Sequence, residues 1–140
     1  MSFDTLRQEV EKGMSDINNG IPMGFNRLNR YIGIRPSMFF LVGGNTGSGK
    51  TSFIDDCFVL NPFDWYISKE NKTDIKLKII YRSMERSSTY KYAKWVCRRM
   101  FLDHGVILSV NKLLGWTDKM NAEEYEMFLS YEPYMEKMKE

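Results

Sequence analysis

Apolar residues along this chain recur at two spacings, three-to-four and continuous, and the alternation between them predicts the elements. Phe3, Leu6, Val10, Met14 and Ile17 share one stripe at helical spacing, with Ser2 before them to cap and Asn18-Asn19-Gly20 after them as a stop. Gly20, Pro22 and Gly24 then punctuate a loop, and Phe25 and Leu28 stand three apart on one helical turn. Met38-Phe39-Phe40-Leu41-Val42 is an unbroken apolar run, the pattern of a strand buried on both faces. Ser52 to Leu60 reads as a helix that Asn61-Pro62 ends, and residues 61 to 76 read as an exposed connection. A second strand is expected over Leu77 to Met84, centred on Ile79-Ile80-Tyr81. Ser87 or Ser88 caps a helix to about Asp103, with Tyr92, Trp95, Val96 and Met100 on one face, and His104-Gly105 breaks it. A short helix over Val110 to Leu114 follows. Asn121 caps a last helix that turns Tyr125, Phe128 and Leu129 inward, and Pro133 restarts the chain near residue 132.

Between the first strand candidate and the helix lies Gly44-Asn45-Thr46-Gly47-Ser48-Gly49-Lys50-Thr51, which fits the phosphate-loop pattern G-x-x-x-x-G-K-[ST] without departure. Each residue type has a chemical reason. Glycines at 44, 47 and 49 let the backbone take positive φ and approach a phosphate chain closely. The loop amides form an anion-binding nest, and the helix beginning with Lys50, Thr51 and Ser52 adds its positive end. Lys50 reaches the β- and γ-phosphates, and the Thr51 hydroxyl is a ligand for Mg²⁺. Strand, loop and helix together predict an α/β fold of the P-loop NTPase kind that binds ATP with Mg²⁺.

Composition narrows this picture modestly. The 140 residues, 43% hydrophobic and 27% charged, are enough for one domain with an ordinary core. A net charge of +2 does not by itself argue for nucleic acid. Between 86 and 104 the basic groups Arg86, Lys91, Lys94, Arg98 and Arg99 face only Asp103, a local excess that fits either a solvated helix face or an acidic partner. The stretch from 118 to 140 is acidic, with seven carboxylates against three lysines. Cys57 and Cys97 have no metal spacing and read as reduced, buried thiols of a cytoplasmic protein. His104 is the single histidine, so no triad or histidine metal site is expected. No apolar segment approaches the ~18 residues of a membrane helix, and none precedes the chain's first helix as a signal peptide would.

Glu85 closes the second strand candidate, at the carboxyl edge where open α/β sheets bind ligands. Two readings stand: a base that orients and deprotonates the water attacking the γ-phosphate, or a surface carboxylate paired with Arg82, Arg86 or a helix end. Here a resemblance enters. Gly20-Ile21-Pro22-Met23-Gly24-Phe25-Asn26-Arg27-Leu28-Asn29 is similar to the G-I-P-T-G-F-x-x-L-D segment of DnaB-like replicative helicases, within the RecA-like ATPases. The phosphate loop follows at that family's spacing, and Tyr81-Arg82-Ser83-Met84-Glu85-Arg86-Ser87 is similar to its F-F-S-L-E-M-S strand end. A weaker likeness runs from Leu113-Leu114 through Asn121-Ala122-Glu123-Glu124-Tyr125. Asn29 stands where the family has aspartate, Arg82 is unusual for a buried strand, and the loop is glycine-rich where the family often has A-R-P-x-x-G-K-T.

The resemblance implies a RecA-like partial parallel sheet flanked by helices. Residues 1–20 would be an N-terminal helical arm that docks on a neighbouring subunit, and 21–140 the front half of the ATPase domain. Glu85 would be the catalytic carboxylate and Lys50 its phosphate-binding partner in catalysis. ATP would lie along Gly44 to Ser52 with Mg²⁺ on Thr51, and a homo-oligomeric ring would move on single-stranded DNA. The aspartate that coordinates the metal in that family has no counterpart up to Glu140. A second reading is therefore a stand-alone nucleotide-binding or interaction module without efficient hydrolysis. A third, a small nucleotide kinase, lacks lid arginines in the acidic tail.

Overall fold

The computed structural model describes residues 2–14, 20–68, 71 and 73–139. The chain divides into two compact units, Met1–Ile79 and Ile80–Glu140. Its elements are helical: α1 (Phe3–Met14), α2 (Asn26–Asn29), α3 (Lys50–Ile54), a π-helical segment (Asp55–Leu60), α4 (Asn61–Ile67), α5 (Ser88–His104), α6 (Val110–Leu113), α7 (Ala122–Leu129) and α8 (Glu132–Lys139). Among the described residues there is no strand and no sheet; the one β feature is an isolated antiparallel bridge between Ile21 and Ile34. The expected α/β fold with a RecA-like parallel sheet is thereby corrected. Residues 38–42 and 77–83 have neither strand nor helix, and Phe39 and Leu41 are 88% and 87% exposed. A strand is defined by a ladder of backbone hydrogen bonds to a neighbour, so an apolar run without that neighbour stays a solvated segment.

In the first unit, α1 holds the expected stripe, but Phe3, Leu6, Val10 and Met14 are all exposed and cover nothing. Ser2 Oγ accepts the Thr5 N–H at 3.3 Å, and the exposed pairs Arg7–Glu11 and Lys12–Glu9 add a few tenths of a kcal/mol at most. Ile17 and the stop at Asn18 and Asn19 lie outside the described residues.

The helix from Lys50 does not end at Asn61-Pro62, because its register changes first. The Asn61 N–H donates to the Asp56 carbonyl, the five-residue spacing of a π turn. Pro62 then falls in the first turn of α4, where its missing N–H costs no hydrogen bond. The helical path continues to Ile67 and buries Cys57, Val59, Leu60, Pro62 and Phe63. Pro62 and Phe63, in the stretch 61 to 76 expected as an exposed connection, are thus buried.

The loop from Gly20 to Ile34 is pinned onto this helical rod. Ile21 and Ile34 exchange both backbone hydrogen bonds, at 2.8 and 2.9 Å. Met23 is buried with both its backbone groups satisfied by side chains. Its N–H donates to Asn29 Oδ1 at 2.8 Å, and its carbonyl accepts Asn61 Nδ2 at 2.9 Å. Gly24 follows with φ +87°, so close to Asn61 that a Cβ there would fall on the Asn61 side-chain amide.

The second unit realises its helix signals closely. Ser87 Oγ accepts the Tyr90 N–H at 3.3 Å to start α5, and Gly105 ends it at φ 68°. Ser109 caps α6, and Asn121 and Glu124 form a reciprocal capping box on α7. Val96, Cys97, Met100, Leu108 and Tyr131 form the buried core, joined by Met127, Phe128, Tyr134 and Met135. Tyr125 and Leu129, expected inside, are about half exposed. Lys112 reaches Glu124 at 2.6 Å and ties α6 to α7, and its hydrogen bond holds the Glu124 carboxyl below its ordinary range.

Tyr131 donates its hydroxyl to Asp103 Oδ2 at 3.0 Å, while Arg99 grips both oxygens of Asp103 at 2.9 and 2.8 Å. Burial, reinforced by the Asp103 carboxylate, pushes the Tyr131 phenol up to about 12. Because the folded value lies above the unfolded one, this contribution to stability is full below the ordinary phenol pKa of about 10. It is lost as pH rises through the folded value. Chemical denaturation of the parent between pH 9 and 12 should show this decline, and Tyr131→Phe should lack it; parallel curves would remove the linkage. Gly24→Ala should lower unfolding free energy by about 2 kcal/mol or more, since positive φ and the Asn61 clash add. A urea midpoint equal to the parent's would contradict the packing at Gly24.

Candidate functional site

The phosphate-loop residues lie in the first unit, and their backbone takes the conformation that their glycines allow. Gly47 and Gly49 have φ +78° and +84°, the left-handed region that only glycine enters without strain. Between them Ser48 donates its N–H to the Asn45 carbonyl at 3.2 Å, turning the chain back on itself. Gly44 packs against that turn: a Cβ on it would stand 2.8 Å from Ser48 Oγ. Gly49 is the left-handed cap of α3, and its carbonyl accepts the Phe53 N–H at 2.9 Å to close the first turn.

Lys50 supplies the charge. Its Nζ turns back into the loop and donates to the Gly44 and Asn45 carbonyls at 2.7 and 2.6 Å. The ammonium therefore sits at the mouth of the turn rather than pointing away from it, held by two acceptors that a phosphate oxygen can replace. Residues 43–49 are exposed, Lys50 and Thr51 half-buried and Ser52 exposed. The loop thus brings Gly44 through Lys50 together from one stretch of chain, with Thr51 and Ser52 on the first turn behind it.

Glu85 comes from another part of the chain. It belongs to the second unit, in an exposed bend between the extended residues before it and α5, and not at the end of a strand. The strand-edge reason for its role is therefore absent. Of the arginines expected to pair with it, Arg86 lies over the Tyr90 ring at 4.8 Å.

The basic stretch of α5 is also largely engaged. Lys91 is buried and donates to the Tyr81 hydroxyl at 2.8 Å, with its Nζ 5.1 Å from that ring's centre. Arg99 serves Asp103 and lies over the Tyr134 ring at 5.6 Å. This corrects the picture of a solvated basic face, because two of its charges are structural. Burial drives both thiols upward, Cys97 to about 11, so neither is a reactive nucleophile near neutral pH.

Sequence reasoning missed one feature beside the loop. Phe25, read as sharing one helical turn with Leu28, is the residue that precedes α2, and it stacks on Phe53 with ring centres 6.2 Å apart and planes within 12°. Helical spacing does place Phe53 on the face of Gly49, but nothing local pairs it with a residue 28 positions earlier.

Among the described residues no group of three or more His, Cys, Asp or Glu could hold a metal, and no helix is long and apolar enough to cross a membrane. Comparison with protein-family models, curated proteins and solved structures finds no match to the chain. With no family match and no sheet, the likeness to DnaB-like helicases and to RecA-like P-loop domains is corrected to a likeness of short motifs. Such motifs carry local chemistry without carrying a fold.

Proposed function

We propose that this chain is a nucleotide-binding module that holds the triphosphate of ATP on the loop from Gly44 to Thr51. The observation that carries this reading is the Lys50 ammonium turned into a loop whose two left-handed glycines expose the backbone to a ligand. A polyphosphate entering the turn takes the place of the Gly44 and Asn45 carbonyls as the partner of Lys50. It exchanges two neutral acceptors for charged ones, which strengthens each hydrogen bond. The loop amides and the start of the helical path from Lys50 add further positive potential.

The Thr51 hydroxyl, one residue into α3, suits Mg²⁺ that bridges phosphate oxygens. Mg²⁺ keeps several waters and needs few protein ligands, so one hydroxyl beside the phosphates fits its demands. When bound, the ion would neutralise phosphate charge.

Lys50→Ala should weaken Mg·ATP binding about a hundredfold or more by isothermal titration calorimetry, as loss of a charged hydrogen-bonding group to phosphate implies. Unchanged affinity would defeat the loop assignment.

A further inference from the structure

We infer that the stacked pair Phe25–Phe53 is the platform for the nucleobase of the nucleotide whose phosphates occupy the loop, an inference that rests on the reading just given. The two rings stand nearly parallel, 6.2 Å apart, yet remain 45% and 37% exposed. Phe53 is four residues after Gly49, on the same face and one turn along the helical path that the phosphate loop starts, and its N–H bonds the Gly49 carbonyl. A nucleotide with its terminal phosphates at Lys50 has its α-phosphate, sugar and base still to place, and the aromatic surface lies one helical turn beyond the loop.

The platform is built and not incidental. Phe25 follows Gly24, which lies against the Asn61 side chain where no larger residue fits. Met23, two residues before Phe25, is locked by Asn29 Oδ1 on one side and Asn61 Nδ2 on the other. The Phe25 carbonyl accepts the Asn29 N–H at 2.8 Å, and the Ile21–Ile34 bridge closes the loop behind. Two side chains, Asn29 and Asn61, together with these backbone hydrogen bonds thus hold the loop that carries one ring against another that is left open to solvent. Two phenylalanines held partly open leave apolar surface for a flat ligand to cover. Stacking on an aromatic face reads the π surface that every base has, so adenine and guanine should bind alike and more tightly than the smaller pyrimidines.

The test uses the full chain with Mg²⁺ and two probes, ATP and inorganic tripolyphosphate, titrated by calorimetry; its readout is the ratio of the two affinities. The parent should bind ATP more tightly than tripolyphosphate. Phe53→Ala and Phe25→Ala should each lower the ATP affinity about tenfold and leave that for tripolyphosphate unchanged. Phe53→Leu, which removes the ring and keeps apolar bulk, carries the same expectation should the alanine variant fail to fold. Lys50→Ala should weaken both probes. Equal binding of both probes to the parent, or a ratio unmoved by the phenylalanine variants, overturns the platform while the loop still holds phosphate. If neither probe binds the parent, the loop reading falls and the platform falls with it.

Discussion

The side-chain amide of Asn61 holds the carbonyl of Met23 across 38 positions of chain, and the first unit is arranged around that hydrogen bond. It joins the loop of residues 20–34 to the helical rod that starts at the phosphate loop, through a residue that is itself nearly fully buried. A buried carbonyl left without a donor costs roughly 1–3 kcal/mol, so the contact selects one seating of the loop on the rod. Gly24 makes the same seating obligatory by steric means, since only a residue without Cβ passes Asn61 at that point. The π turn cooperates: the register shift from Asp55 to Leu60 lets the rod continue past Pro62 and keeps Asn61 within a helix.

Around the phosphate loop, conformation and charge are matched. Left-handed backbone at Gly47 and Gly49 costs glycine little and opens the turn, and the same turn gives Lys50 two carbonyls to hold. The stacked phenylalanines one turn along stand in the same unit and depend on the Asn61 lock for their alignment. The glycine-rich turn and the stacked rings therefore come from one short rod and one clasped loop, with no sheet among the described residues. The second unit is held differently, by helix caps, a core around Met100, and the Arg99–Asp103–Tyr131 network.

Local signals proved legible wherever one residue's own chemistry decides the outcome. Ser87, Ser109, Asn121 and Gly105 mark helix ends because a hydroxyl, an amide or a missing Cβ acts on the nearest backbone groups. Gly47 and Gly49 announced their left-handed backbone for the same reason. Pro62 misled because a proline ends an ordinary α-helix, and the π register that accommodates it is set by the preceding turn. The helicase likeness misled because it joined short motifs through a sheet that the described residues do not form.

By itself, then, the order of residues determined the helices of the second unit, the left-handed turn at Gly47 and Gly49, and the burial of both cysteines. Only tertiary structure decided that the apolar runs at 38–42 and 77–84 remain without strand partners, that Lys91 lies inside, and that Phe25 stacks on Phe53. The division follows distance along the chain. Caps, turns and glycine conformations act within about four residues, whereas strand pairing, burial of a charge and ring stacking need groups far apart in sequence to meet.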